Sequence, residues 1–326
     1  MLCLTNKSTD PYFNLAAEEY ILREFSDNCF MLWQNENTIV IGKHQNTLAE
    51  INLDYIKEKK ISVVRRLSGG GTVYHDLGNL NFTFIMNGHE GHLVDFRKYT
   101  KPILEVLHKL SVNARFHGRN DLTINGKKFS GNAEHVYKKR VLHHGTLLFS
   151  SEINTLNNAL KVNPLKYKSK AVKSIRSRVT NIKEHLNTDL NVLQFRDMIM
   201  DHIMKTFPNP VPYEFTDQDI HNINRLKQEK YMTWEWNFGY SPKYDFERSF
   251  STNGGSLQVY LNVAGGIIQK AKIYGDFFSK IDIKEVEDLL AGVKHDENEI
   301  LKKMHSVSLP EYIHNITPEE FVRGLF

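Results

Sequence analysis

Three consecutive glycines, Gly69-Gly70-Gly71, follow Arg65-Arg66-Leu67-Ser68 and lead into Thr72-Val73-Tyr74-His75-Asp76. The preceding Ile61-Ser62-Val63-Val64 is β-branched and apolar, so it reads as a strand that ends at the arginines. Glycines let the backbone take positive φ and let a ligand come close to the main chain. Their amides can line a concavity that holds an anion, and a guanidinium offers a rigid fork of donors matched to phosphate or carboxylate. The pattern predicts a strand feeding a loop for a phosphate-bearing ligand. A flexible turn with two solvated arginines is the competing reading. The loop has neither the Gly-Lys-Ser/Thr ending of a P-loop nor the spaced glycines of a dinucleotide motif.

The flanking sequence alternates helical and strand patterns. Asp10 and Pro11 form an N-cap and N1 pair opening a helix to about Arg23. Residues 30–33 and 38–42 are short apolar runs in a hairpin-like arrangement, residues 52–60 a short helix, and 80–86 a strand. Ile103, Val106, Leu107 and Leu110 keep helical spacing, with Pro102 near the start. Asn125-Gly126 predicts a tight hairpin that puts Lys127 and Lys128 at the start of the returning strand. A strand over 141–150 and helices over 192–207 and 216–231 follow. After Gly239 the stretch YSPKYDFERSF reads as a connection into a second domain. There, 257–263 and 267–274 form a hairpin about Ala264-Gly265-Gly266, helices follow near 283–290 and 298–304, and Thr317-Pro318-Glu319-Glu320 is a capping box. The expected architecture is an α+β catalytic domain, 1–245, followed by a small α+β domain, 246–326.

With 326 residues, 40% of them hydrophobic, the chain can bury a sizeable core. No run of eighteen apolar residues predicts a membrane span, and the first residues lack the pattern of a secretory signal. Cys3 and Cys29, without a CxxC or Cys/His ligand spacing, argue against a disulfide framework or a zinc site and fit a reducing cytoplasm. The net charge of +4 is uneven: from Glu247 onward twelve acidic residues outnumber nine basic ones, while 153–183 carries eight Lys/Arg and no acid. That stretch suits an anionic small molecule, an acidic protein partner or nucleic acid, and equally a solvated loop.

The block RRLSGGGTVYHDLGNLN, 65–81, resembles the lipoate–protein ligase A family, whose catalytic domain has the mixed-sheet biotin/lipoate ligase-like fold. Further segments resemble the family in order: DPYFNLA (10–16), TIVIGKHQN (38–46), GRNDL (118–122), KKFSGNA (127–133), HHGTLL (143–148), SRVTN (177–181) and WEWNFG (234–239). The resemblance implies a two-step reaction. Lipoate and ATP give an enzyme-held lipoyl-adenylate and pyrophosphate; the lipoyl group then passes to a lysine of an acceptor lipoyl domain, such as a 2-oxoacid dehydrogenase E2 subunit or the glycine-cleavage H protein. It implies a nucleotide and lipoyl-adenylate site at Arg66, Ser68, Gly70, Gly71, Thr72, Val73 and Tyr74, with Lys128 as the catalytic cation and Lys127 a surface residue.

His75, His143 and His144 are candidates for the lipoyl pocket, although neighbours on a regular strand face opposite ways. Trp33 and Phe82 are candidates for an acyl slot or simply core, and Asp121 for holding Mg²⁺ or for a structural place beside the hairpin. Octanoate is an alternative acyl substrate. A lipoyl or octanoyl transferase working without ATP is a second reading; a thioester route needs a placed thiolate, and neither cysteine sits in a nucleophile motif. A nucleic-acid-binding module is a third, disfavoured because Tyr167 is the only aromatic in the basic stretch. Electrostatic steering of an acidic acceptor by Lys168, Lys170 and Lys173, no membrane association and a monomeric state complete the expectations.

Overall fold

In the computed structural model the described residues are 1–88, 95–160, 167–169, 179–253, 255–277 and 280–326. Most of the basic stretch, including the side chains of Lys168, Lys170 and Lys173, lies outside them. The chain forms two compact units. One comprises Met1–Lys43, Ile56–Ala159 and Ser174–Thr233; the other comprises His44–Tyr55, Leu160–Lys173 and Trp234–Phe326.

The first unit is built on a mixed eight-stranded sheet. Its strands, in chain order, are β1 (Leu2–Thr5), β2 (Cys29–Trp33), β6 (Asn79–Asn87), β7 (Ala114–His117), β8 (Asp121–Ile124), β9 (Lys127–Tyr137), β10 (Arg140–Leu148) and the short Val211–Pro212. β1 runs parallel to both of its neighbours, β2 and Val211–Pro212. The pairs β2–β6, β6–β10, β10–β9, β9–β8 and β8–β7 are antiparallel. A separate three-stranded sheet holds the sequence's most constrained region: β3 (Thr38–Ile41) lies between β4 (Ser62–Arg65), parallel, and β5 (Val73–His75), antiparallel. The glycine loop joins the two outer strands. The apolar runs at 30–33 and 38–42 are therefore not a hairpin, because β2 and β3 belong to different sheets.

One face of the large sheet packs Phe30, Phe82, Phe84 and Phe129 against the helices Phe96–Lys109 and Val192–Thr206 through Ile103, Leu107, Phe195 and Ile199. Pro102 stands inside the first of these helices rather than at its start; Asp95 accepts from Lys98 N at 3.1 Å and caps it about two turns earlier. Helix Pro11–Glu24 is capped as its sequence predicts, with Asp10 accepting from Tyr12 N at 2.9 Å and Pro11 at its start. The Asn125-Gly126 turn joins β8 to β9. Helix Asp217–Leu226 passes into a π-helical turn, Lys227–Tyr231.

The second unit is an antiparallel sheet of Tyr167–Ser169, Tyr244–Thr252, Gly255–Ala264 and Ile267–Gly275, followed by the short helices Lys284–Leu290, Glu297–Met304, Leu309–Tyr312 and Pro318–Arg323. The stretch after Gly239 that reads as a connection contains an inner strand of this sheet, Tyr244–Thr252, which buries Tyr244 and Phe246 on one face. The capping box is present: Thr317 Oγ accepts from Glu320 N at 3.1 Å, and the Glu320 carboxylate accepts from Thr317 N at 3.0 Å. His295 is buried in this core. Its Nδ1 accepts from Tyr244 Oη at 2.7 Å, its Nε2 donates to Leu325 O at 3.0 Å, and burial pushes its pKa down to about 4.

Candidate active site

The two arginines that end β4 do different work. Arg65, fully buried, donates through Nη1 to Gly42 O at 3.0 Å and Lys43 O at 3.1 Å, tying β4 to the end of β3. Arg66 turns into the glycine loop instead. Its Nε donates to Ser68 Oγ at 3.0 Å, Nη1 to Val40 O at 3.2 Å, and Nη2 to Gly69 O at 2.7 Å and Gly71 O at 2.8 Å. Burial pulls its pKa down to about 10, which leaves it charged at neutral pH. In a trans peptide the N–H points opposite to the C=O. Gathering the carbonyls of Gly69 and Gly71 on the guanidinium therefore turns the amides of Gly70 and Thr72 away from it, an arrangement suited to an anion. Gly70 has φ +94°, and a Cβ there would stand 3.1 Å from Arg66 Nη2.

From Ser68 a buried hydrogen-bond chain crosses to the sheet. Ser68 Oγ lies 2.5 Å from His144 Nε2, and His144 Nδ1 lies 3.0 Å from both oxygens of Glu18. Glu18 also accepts from Thr83 Oγ1 at 2.6 Å, which in turn accepts from Trp33 Nε1 at 2.9 Å. Its directions follow from chemistry. A carboxylate only accepts, so His144 Nδ1 carries the proton; in the neutral ring Nε2 then accepts from the Ser68 hydroxyl. Glu18 and Thr83 belong to the site and were not foreseen. A signal existed for one of them: Leu15, Glu18, Glu19 and Leu22 occupy the i, i+3, i+4, i+7 face of their helix, and all four are buried. Glu19 serves the fold. Burial would raise its pKa, but Lys230, Tyr231 and Arg23, each 2.7 Å away, hold it below the usual carboxylate range.

His144 and His143 face opposite ways, as alternation requires. His144 pairs with Thr83 and Ala133 across the sheet, His143 with Phe84 and Glu134. His143 Nδ1 sits 2.8 Å from Glu134 Oε1, among the rings of Phe82, Phe96 and Tyr99 on the core side; burial lowers its pKa. The structure does not bring it, or Phe82, to the face that carries His144. Trp33 is on that face, through its bond to Thr83.

His75 and Asp76 also separate. Asp76 is a loop staple: its two carboxylate oxygens accept from Gly78 N at 2.9 Å and Glu152 N at 2.7 Å. His75 is buried edge-on to Trp33, with ring centroids 6.0 Å apart, and burial pushes its pKa down to about 3. Tyr74 donates its hydroxyl to Asn37 Oδ1 at 3.0 Å.

Lys128 lies three residues before Gly131 on β9. Its Nζ is 2.8 Å from Asp121 Oδ1, and a Cβ on Gly131 would meet Lys128 Cε and Nζ at 3.0 Å. The end of the lysine side chain therefore reaches over Gly131, where a Cβ would crowd it. Gly131 N donates to Thr146 Oγ1 at 3.2 Å, and Thr146 shares a face of β10 with His144. Lys128 O accepts from Thr180 N at 2.9 Å, joining the KKFSGNA segment to the Val179–Thr180 end of SRVTN. Asp121 keeps a second oxygen for other partners. One carboxylate oxygen beside substrate phosphates is a donor set that suits magnesium; among the described residues no group of three or more His, Cys, Asp or Glu could hold a metal by itself. Cys3 and Cys29 are free and buried, and burial pushes the Cys29 thiol up to about 12, so neither is a placed thiolate.

The mixed sheet, a glycine loop organised on a buried arginine, a lysine–aspartate pair and a following small α+β unit define a two-unit ligase. The family model for the lipoyl protein ligase A/B catalytic domain matches residues 10–204, and that for the bacterial lipoate protein ligase C-terminus matches 241–325. The lipoate-protein ligase LplJ of Bacillus subtilis (strain 168) is 42% identical over 327 residues, covering 99% of each chain. Among solved structures, a lipoate-protein ligase A bound with ATP aligns with TM-score 0.62 and 26% identity, over 73% of this chain and 98% of its own. A bipartite ligase from Thermoplasma acidophilum, solved in a study of that ligase and its E2 lipoyl domain, aligns with TM-score 0.62 and 27% identity, over 73% and 96%. The chain belongs to the lipoate–protein ligase family.

Proposed function

We propose that this enzyme activates lipoate with ATP and passes the lipoyl group to a lysine of acceptor lipoyl domains, E2 subunits and the H protein among them. In the first step a lipoate carboxylate oxygen attacks the α-phosphorus, the Pα–O–Pβ bond breaks, and pyrophosphate leaves. In the second step the acceptor amine attacks the acyl carbon and AMP leaves with the bonding pair. The observation that carries the reading is Lys128, a cation curled over Gly131 and tethered to Asp121 within the family's KKFSGNA segment. At the meeting point of carboxylate and phosphate, its ammonium offsets their repulsion and stabilises the charge that develops. Lys128 is the catalytic residue in this reading.

The nucleotide and the adenylate lie along Ser68, Gly70, Gly71, Thr72, Val73 and Tyr74, with Arg66 shaping the loop from behind. Trp33, His75 and His144 line the acyl pocket, lipoate filling it and octanoate, an acid of the same carbon count without the dithiolane sulfurs, being an alternative; His143, on the core side, supports the strand. Asp121 is the residue that would hold magnesium, and the ion would supply charge neutralisation for the leaving pyrophosphate. The catalytic domain takes the match at 10–204 and the accessory domain the match at 241–325, so the boundary expected at 245/246 lies before strand Tyr244–Thr252 rather than within it. A monomer acting in the cytoplasm completes the reading.

The test is intact-mass analysis of an apo lipoyl domain incubated with the enzyme, Mg²⁺, lipoate and ATP, with synthetic lipoyl-AMP in a parallel reaction. ATP-dependent modification is expected, falling by at least about 100-fold in Lys128→Ala. Modification from lipoyl-AMP alone would instead define a transferase without the activation step.

A further inference from the structure

The buried histidine that follows the glycine loop has a fixed tautomer, and its one proton meets no acceptor. The argument starts at Asn14. Its Nδ2 lies against two backbone carbonyls, Ser8 O at 3.0 Å and Gln34 O at 2.8 Å, which can only accept, so the amide cannot be flipped. The same nitrogen lies 2.9 Å from Asn35 Oδ1, and it is the oxygen that stands there because a second amide nitrogen would set donor against donor. Asn35 must then turn its own amide nitrogen to His75 Nδ1, 3.1 Å away. Asn81, whose Oδ1 accepts from Asn79 Nδ2 at 2.9 Å, likewise points its nitrogen at Nδ1 from 3.5 Å. An amide nitrogen donates, so His75 Nδ1 is a bare lone pair and the ring proton is on Nε2.

His295 in the second unit is an internal comparison. It has the same tautomer, with Nδ1 accepting from Tyr244, but its Nε2–H is met by Leu325 O. His75 is only 3% exposed, and its Nε2 has no partner among the described residues. A buried donor left unmet is costly and calls for an explanation. Its surroundings supply one. The ring stands edge-on to Trp33, and Arg66 and His144 are close enough to act on its charge, so it shares the side chains of the glycine-loop site.

We propose that His75 is a neutral Nε2–H donor for an acceptor oxygen of a bound reactant, either the carboxyl group of the acyl substrate or a nucleotide phosphate. The inference rests on the ligase reading. The amide cluster behind the ring, Asn14–Asn35–Asn81, fixes the tautomer that makes this donation possible. A neutral donor orients an oxygen while leaving its negative charge in place for attack, whereas a cation withdraws it. His75 and Lys128 thereby divide the work between aiming and neutralising.

Two substitutions separate the ring's nitrogens: His75→Asn retains a polar group at the Nδ1 position, and His75→Gln retains a donor at the Nε2 position. Calorimetry would measure lipoate alone and Mg·ATP alone on wild type and both variants. His75→Asn is expected to weaken one reactant by about tenfold, and His75→Gln to keep that affinity while losing thermal stability. Weakening in the lipoate arm assigns the oxygen to the carboxyl group, and weakening in the nucleotide arm to a phosphate. Unchanged affinity of His75→Asn for both overturns the inference. A second readout needs no variant: the ¹⁵Nε2–H resonance of His75 in the wild-type enzyme should shift on adding that reactant, and an unmoved resonance with both reactants bound overturns it equally. A wild-type enzyme that binds neither reactant and leaves lipoyl domains unmodified would overturn the ligase reading itself.

Discussion

At the scale of single residues, the site is a set of buried polar groups whose directions are fixed by their neighbours. Thr83 is the hinge of the longest chain, accepting from Trp33 and donating to Glu18, itself bonded to His144. Thr83→Val keeps the shape and removes both bonds, leaving an indole N–H and a carboxylate oxygen short of a partner. A stability loss of about 2–3 kcal/mol is expected in urea titrations; a loss under about 0.5 kcal/mol would mean that water takes the hydroxyl's place. Much of this chemistry was legible. The glycine loop, Lys128 and His144 stand in segments whose order marks the family. What sequence could not supply was direction. Arg66 reads as a ligand-facing cation, and its hold on the loop carbonyls is visible only in the structure. His143 and His144 read alike until the register assigns one to each face. Thr83 carries no signal at all, because an isolated threonine in the strand LNFTFIM looks like ordinary β-propensity.

At the scale of elements, turn chemistry was the most reliable guide and strand partnership the least. Ala264-Gly265-Gly266 closes the expected hairpin, with φ of +58° and +72° at the two glycines. They are not equivalent. A Cβ at Gly265 meets nothing within 4 Å, whereas one at Gly266 would come 2.5 Å from Trp234 Cη2 and 2.8 Å from Gly239 Cα. Gly265→Ala should cost about 1–2 kcal/mol of backbone strain. Gly266→Ala should cost clearly more, seen as a lower thermal midpoint for the second unit; equal costs would mean that Trp234 yields freely. The failed hairpin at 30–42 has a physical reason. Its connecting residues are not a turn: Asn35 is fully buried and bonds His75, so the segment departs from one sheet and enters another. Tyr244–Thr252 reads as a connection because its polar residues are prominent, yet Tyr244, Phe246, Arg248 and Phe250 hold the period of two that marks a strand.

At the scale of the whole molecule, each unit carries a neutral buried histidine, which makes both sensitive to acid. The folded pKa of His75 is about 3 and that of His295 about 4, against 6.5 for a free imidazole. Below pH 6.5 the unfolded chain binds protons that the folded one refuses. Stability is then fully present above that pH and falls as pH drops through the window, by up to about 1.4 kcal/mol per unit for each ring. Denaturant midpoints should decline from pH 7 to pH 5, and a flat profile would count against the buried neutral rings. Trp33 reports the first unit, Trp234 and Trp236 the second, so Trp33→Phe separates the two signals. The interleaving of the units carries a consequence for synthesis at the ribosome. Strand β1 emerges first but pairs on one side with Val211–Pro212, and Leu48 emerges early but packs in a core otherwise supplied by Tyr244 onward. Nascent chains shorter than about 233 residues contain neither unit whole. The order in which the ribosome delivers this chain is thus not the order in which its cores can close.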